Sequence, residues 1–249
     1  MNAYHALADS YDRLTQDIPY GDILEFYQKI WNVHGKAPHF LVDLACGTGS
    51  LSVLLAQQGY RVLGVDAAEE MLTVAADKAS GMENPPYFVC QRMEKLRLPM
   101  QADCVVSCLD SINYLVEPAL CQKAFQRVYD ALTPGGCFLF DVNTPEKLRA
   151  MDGQVFLDED EDVYCVWRGS FDEASNICTY GMDLFQREGK HWRRSGEEHQ
   201  EYAYGLQELQ AYLLSAGFEK IEIYGNLSLR APQDGEQRVF FYGERKERS

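Results

Sequence analysis

The chain of 249 residues is 46% hydrophobic and 12% aromatic, enough for a sizeable core in one α/β domain with an insertion, or a large domain plus a small one. Its formal net charge of −15 and lack of a basic run argue against a phosphate-backbone partner. No stretch of 18 apolar residues predicts a membrane span, and residues 1–14 carry charge early without an apolar signal core, so a cytoplasmic protein is expected.

In chain order, Ile23, Phe26, Tyr27, Ile30 and Trp31 recur at helical spacing over 22–34, with Gly35 as a stop. Strands are expected at 40–44, 61–65, 87–90, 102–108 and 137–142, alternating with helices over 51–58, 68–79 and 119–132. Near-continuous apolar strands in this alternation predict a Rossmann-like, doubly wound, mostly parallel seven-stranded sheet with helices on both faces. Beyond residue 155 the texture changes. Segments 162–171, 177–187 and 191–204 alternate apolar and polar residues around hairpin signals at 172–176 and Glu188-Gly189-Lys190. Cys178, Tyr180, Met182 and Leu184 share one face there, and the acidic run from Asp158 to Asp162 reads as a solvated loop. A helix over 206–216 and strands over 218–224 and 238–243 complete the sheet. The expected organisation is an α/β domain built from 1–150 and 205–249, with an antiparallel β insertion after strand five, at 151–204, as a lid over an acceptor site.

Eight cysteines include no Cys-x-x-Cys pair. Cys46, Cys90, Cys104, Cys108 and Cys137 sit in or beside apolar runs, so they read as reduced core residues, and no metal site is expected.

The chemistry concentrates in Val42-Asp43-Leu44-Ala45-Cys46-Gly47-Thr48-Gly49, an apolar strand running into a glycine turn and a helix, with Asp66 ending the next strand. Such a pair lays a nucleoside ligand across the carboxyl end of a parallel sheet. The glycines let backbone approach it, and the carboxylate accepts from ribose hydroxyls. A nicotinamide or flavin site prefers a third glycine where Ser52 stands, and no Gly-Lys-Ser/Thr follows for a P-loop. An acid at position 43 would repel a pyrophosphate but suits an ammonium. S-adenosylmethionine carries an ammonium, a sulfonium and a ribose diol.

These residues resemble motif I of the class I S-adenosylmethionine-dependent methyltransferases. Asp66, within Gly64-Val65-Asp66-Ala67-Ala68-Glu69-Glu70-Met71-Leu72, and the turn Leu132-Thr133-Pro134-Gly135-Gly136 match the same family in order, and the likeness is strong over 38–142. The resemblance implies S-adenosylmethionine as donor and S-adenosylhomocysteine as its product. It implies that Gly47 and Gly49 approach the methionine part, that Asp43 faces the ammonium through water, that Asp66 holds the ribose and that Met71 packs near the adenine. It also puts Ala45, Ala67, Gln91 and Leu109 among the cofactor-binding residues. Gln91-Arg92-Met93 falls where relatives often carry Asp-Met. Met93 fits as an adenine contact, whereas Arg92 has no acceptor for the adenine amino group. Cys108-Leu109-Asp110-Ser111-Ile112-Asn113-Tyr114 resembles the loop beside the transferring methyl, with Asp110 as a partner for the ammonium and Asn113 and Tyr114 shaping the acceptor pocket. The N-terminal pattern Tyr4, Ala8, Tyr11, Asp12, Leu14, then Ile18-Pro19-Tyr20, is similar to small bacterial enzymes such as glycine N-methyltransferase and amino-sugar N,N-dimethyltransferases. That likeness implies Tyr11 near the sulfonium.

Methyl transfer is an in-line displacement, so alignment and exclusion of water carry much of it. A base is needed only where the nucleophile arrives protonated. No catalytic residue is assigned; Tyr11, Asp110 and His199 are candidates, and His199, which shares a strand face with Glu201, is also a candidate acceptor-site residue. The expected function is methyl transfer to a small-molecule acceptor, with an amine nitrogen as one option. One alternative is a tRNA-modifying methyltransferase, for which Arg187, Lys190, Arg193 and Arg194 would supply a local basic cleft. The other is a non-catalytic S-adenosylmethionine-binding protein, favoured by Arg92. The β insertion offers a face for a homodimer.

Overall fold

The computed structural model describes residues 17–247, so the expectations placed on Tyr4 and Tyr11 lie outside the described residues. A first helix, α1 (Tyr20–Val33), starts after Pro19 and turns Ile23, Phe26, Tyr27 and Ile30 inward at the predicted spacing. The alternation follows as β1 (Phe40–Leu44), α2 (Ser50–Gln57), β2 (Arg61–Asp66), α3 (Glu69–Lys78), β3 (Tyr87–Cys90), a short 3-10 turn (Met93–Lys95), β4 (Ala102–Ser107), α4 (Pro118–Ala131) and β5 (Leu132–Asn143). The predicted turn before strand five is drawn into β5 instead, because Leu132 pairs with Ala102 and the register then shifts to Cys104 opposite Cys137. A short helix, α5 (Pro145–Ala150), capped by Thr144, was not expected.

Then come β6 (Val155–Glu159), β7 (Val163–Asp172), β8 (Ile177–Glu188) and β9 (His191–Tyr202), before α6 (Leu206–Ala216), β10 (Phe218–Gly225) and β11 (Arg238–Arg245). The main sheet runs β10-β11-β5-β4-β1-β2-β3, with only β11 antiparallel to its neighbours. The order reverses on either side of β1. That reversal opens a crevice at the carboxyl ends of β1 and β4, where a ligand can lie. Successive strand residues serve opposite layers: Leu41 packs with Phe26, Ile30, Leu55 and Phe240, and Val42 with Phe125, Phe138, Phe140 and Leu209.

The second sheet, β6-β7-β8-β9, is wholly antiparallel. Cys178, Met182 and Leu184 are buried on one face, with Val163 and Cys165 of β7 beside them. β6 corrects the solvated-loop reading of the acidic run: Asp158 and Glu159 pair with Cys165 and Tyr164 as part of an exposed edge strand. The cysteine reading needs correction too. All eight are free, but Cys90 is exposed and Cys46 only half-buried. Among the described residues, no helix is long and apolar enough to cross a membrane, and no cluster of three or more metal-ligating side chains forms.

Candidate active site

The crevice holds a cavity of about 320 Å³. Its floor is the turn after β1. Ala45, Gly47 and Gly49 all adopt positive φ, at 60°, 52° and 73°, so the backbone zigzags through a region that favours glycine. At Gly49 space matters as well, since a Cβ would come within 2.9 Å of Ala75 Cβ. The helix α2 could not then sit so close to α3.

Asp66 secures this turn from the end of β2. Its Oδ2 accepts from the Gly47 amide and its Oδ1 from the Ala68 amide, both at 2.9 Å. Burial raises its carboxyl above the ordinary value, with those two amides working against the rise. Each oxygen keeps acceptor capacity toward the cavity, which Asp66, Ala67 and Met71 line.

Asp43 lies beneath the turn and is fully buried. Ser52 Oγ donates to its Oδ2 at 2.6 Å, while no donor among the described residues reaches its Oδ1. Burial pushes this carboxyl up to about 7, and the serine only partly restrains it. An orphaned, desolvated carboxylate oxygen beside a glycine turn calls for a cationic hydrogen-bond donor.

The segment after β3 supplies the far wall through Gln91, Arg92, Met93 and Glu94. Arg92 Nε donates to Glu94 Oε1 at 2.7 Å and folds that carboxylate into the cavity wall, where Glu94 is only 4% exposed. Burial is the largest single influence and would raise Glu94; the bond and charge of Arg92, a backbone amide and the Lys95 charge together outweigh it and leave the group below its ordinary value. The near wall is the turn after β4, where Cys108, Leu109 and Ser111 line the cavity, with Tyr114 and Tyr20 at its side.

A protein-family profile described as a methyltransferase domain matches residues 41–136, which include every residue lining the cavity except Tyr20. A putative methyltransferase of Geobacillus sp. (strain WCH70) is 32% identical over 97% of this chain and 99% of its own length. The chain is a class I S-adenosylmethionine-dependent methyltransferase. The crystal structure of an S-adenosylmethionine-dependent methyltransferase from Clostridium acetobutylicum superposes with a TM-score of 0.87 at 27% identity, covering 98% of this chain and 100% of that one. The fold is also shared with the sugar N-methyltransferase KedS8 from Streptoalloteichus sp. (TM-score 0.80, 20% identity, 96% and 92% covered).

The methyltransferase's donor fits the residues present. Asp66 and Glu94, which line the cavity with acceptor oxygens, would hold its ribose hydroxyls and the amino group of its base, and Asp43, buried beneath the turn and not itself a lining residue, would act on its ammonium from behind that turn. When bound, S-adenosylmethionine supplies an electrophilic methyl on a sulfonium.

The residues expected on the acceptor side separate into three groups. Tyr114 lines the cavity and meets His199 edge-on, with ring centroids 6.1 Å apart. His199 is buried on β9, its ring 6.0 Å from Trp167 and its Nε2 3.3 Å from Glu197 Oε2. Asn113 does not line the cavity. It is fully buried and spent on backbone: Nδ2 donates to Asn143 O (3.2 Å) and Tyr202 O (3.0 Å), and Oδ1 accepts from the Asn143 amide (3.1 Å). Asp110 does not line it either, because Arg238 Nη2 holds its Oδ1 at 2.6 Å. That pairing disfavours Asp110 as an ammonium partner or base.

Of the four residues offered for a basic cleft under the tRNA alternative, three sit beside carboxylates. Arg187 lies 3.7 Å from Asp162, Arg193 2.7 Å from Glu188 and Arg194 2.6 Å from Asp183. Sequence reasoning missed Glu94, Asp141 and Arg238, and read Ser52 only as a missing glycine. The one available signal was the Arg-x-Glu spacing at Arg92 and Glu94, which puts opposite charges within reach across a single turn.

Proposed function

We propose that the enzyme methylates a small amine that reaches the cavity beside Tyr114, beneath the four-stranded sheet. One observation carries this reading: buried His199, backed by Glu197, stands against the Tyr114 ring that lines the donor cavity. An amine arrives in neutral water as an ammonium without a lone pair, and must lose a proton before it can attack carbon. A histidine with a carboxylate behind it can take that proton. Glu197, His199 and Glu201 alternate along β9 onto one face, opposite Met182, Tyr180 and Cys178. The Glu197 carboxylate beside His199 favours a cation over an anion. Burial and the nearby Asp110 raise the Glu201 carboxyl, while Asn143 Nδ2 donates to it at 2.9 Å.

The remaining requirement is alignment and a dry path. The insertion sheet acts as the lid that excludes water, and the sugar N-methyltransferase sharing this fold is a precedent, by its name, for nitrogen as acceptor. The test is transfer from methyl-labelled S-adenosylmethionine to a panel of amines, amino sugars, phenols, carboxylates and bulk tRNA. Label in an amine supports the reading. Label confined to oxygen acceptors or tRNA overturns it.

A further inference from the structure

The wall of the donor cleft after β4 is a turn whose own residues resist its shape. Leu109 and Asp110 are consecutive non-glycine residues with φ of 58° and 53°. That left-handed conformation crowds Cβ against the following carbonyl and persists only where the surroundings enforce it. Here the enforcement is a fully buried carboxylate on β5. Asp141 accepts the Leu109 amide on Oδ1 at 2.9 Å and the Asp110 amide on Oδ2 at 3.0 Å. Arg238 of β11 closes the ring, with Nη1 3.1 Å from Asp141 Oδ2 and Nη2 2.6 Å from Asp110 Oδ1. The Asn113 amide then ties down the Asp110 carbonyl at 2.8 Å.

The same turn faces the cavity through Cys108, Leu109 and Ser111, whereas Asp141 and Arg238 do not line it. Across the sheet, β4 adjoins β1 through Asp43 opposite Val106, and Asp66 lies on the far side of β1. The turn therefore flanks the Asp43 end of the cleft, away from the ribose-binding carboxylate. We propose that Asp141 and Arg238 are positioning residues for the donor: without touching it, they hold a left-handed turn so that Leu109 walls the amino-acid half of the S-adenosylmethionine site. This inference rests on the donor cleft alone and is independent of the acceptor.

The geometry is demanding at Asp141, where two acceptor oxygens match two amides. An asparagine offers one acceptor oxygen and one NH2 group with two N–H donors, so one backbone amide would face another donor. The test is calorimetric binding of S-adenosylhomocysteine and of 5′-methylthioadenosine, which lacks the amino-acid tail, to the wild type, Asp141→Asn, Leu109→Ala and the double variant. Asp141→Asn should weaken S-adenosylhomocysteine at least tenfold and methylthioadenosine less than threefold. The double variant should bind S-adenosylhomocysteine within threefold of the weaker single one, because a lost wall leaves its support nothing to position. Arg238→Met, which leaves the Asp141 acceptors in place, should show the same ligand pattern at smaller size, and serves alone should Asp141→Asn not fold. Unchanged binding, equal weakening of both ligands, or losses that multiply in the double variant would overturn the proposal.

Discussion

Ser52 Oγ donates to Asp43 Oδ2 at 2.6 Å, and both residues are fully buried. The serine that occupies a dinucleotide fold's third-glycine position thus holds the acid that a pyrophosphate site would not tolerate. Two departures from a familiar pattern are one hydrogen bond. It leaves Oδ1 as the available acceptor.

The pH dependence of donor binding follows from that oxygen. Burial lifts the Asp43 carboxyl to about 7, so in the free enzyme it is largely protonated below that pH. An ammonium needs the ionised form. Affinity for S-adenosylhomocysteine should therefore rise with pH between about 6 and 8 and flatten above, with proton release on the acid side. Asp43→Asn should bind weakly and without this slope, as titration calorimetry in buffers of different ionisation heat would show. For the ligand-free fold the sign is opposite. Asp43 ionises earlier in the unfolded chain, so its contribution to stability declines as pH rises from about 4 to 7.

Asp66→Ala should weaken S-adenosylhomocysteine by about 1–3 kcal/mol, the scale of a lost charged hydrogen bond. The Gly47 and Ala68 amides would lose their acceptor as well. Asp66→Asn, which keeps one acceptor, should lose less. Equal losses in the two variants would count against the ribose role.

Glu94 should govern the purine edge. Glu94→Ala is expected to weaken S-adenosylhomocysteine about tenfold, near 1.4 kcal/mol. It should also narrow the preference over S-inosylhomocysteine, whose base presents an oxygen where adenine presents an amine. Arg92→Ala should act in the same direction but less, since Arg92 works through Glu94. A preference unchanged by Glu94→Ala would place adenine recognition elsewhere.

His199→Ala should cut transfer to an amine acceptor by roughly 10²–10⁴, the range of a lost general base, with S-adenosylhomocysteine affinity held within twofold. The deficit should shrink as pH approaches the amine's own pKa, where the free base needs no help. A rate loss that is the same at every pH would point to packing against Tyr114 and Trp167 instead.

Asn113→Ala should behave as a stability variant. It strands three buried backbone partners, on Asn143 and Tyr202, and a loss of about 2–4 kcal/mol in urea denaturation is expected. Donor affinity measured well below the transition should stay near the wild-type value.

The strands and helices of the donor half were legible because each carried its own period and its own stop: Gly59 after α2, Gly217 after α6, apolar runs for β1, β4 and β5. β6 was not, since Asp158 and Glu159 look like solvent-facing loop unless their pairing with Tyr164 and Cys165 is known. At the site, Asp66 and the glycines could be read because their neighbours in sequence are their neighbours in space. Asp110 and Asn113 could not. Their partners Arg238, Asn143 and Tyr202 lie 128, 30 and 89 residues away, and no local pattern announces a carboxylate already neutralised or an amide already spent.

The strand order has a consequence for synthesis. β11, the last strand among the described residues, lies between β5 and β10, so β10 has no sheet partner until residues 238–245 leave the ribosome. Until then the β5 edge and β10 both present unpaired backbone, an invitation to pair with another chain. Translation that pauses between residues 225 and 238 should leave β5 and β10 both complete but without the strand that joins them, each presenting an unpaired edge.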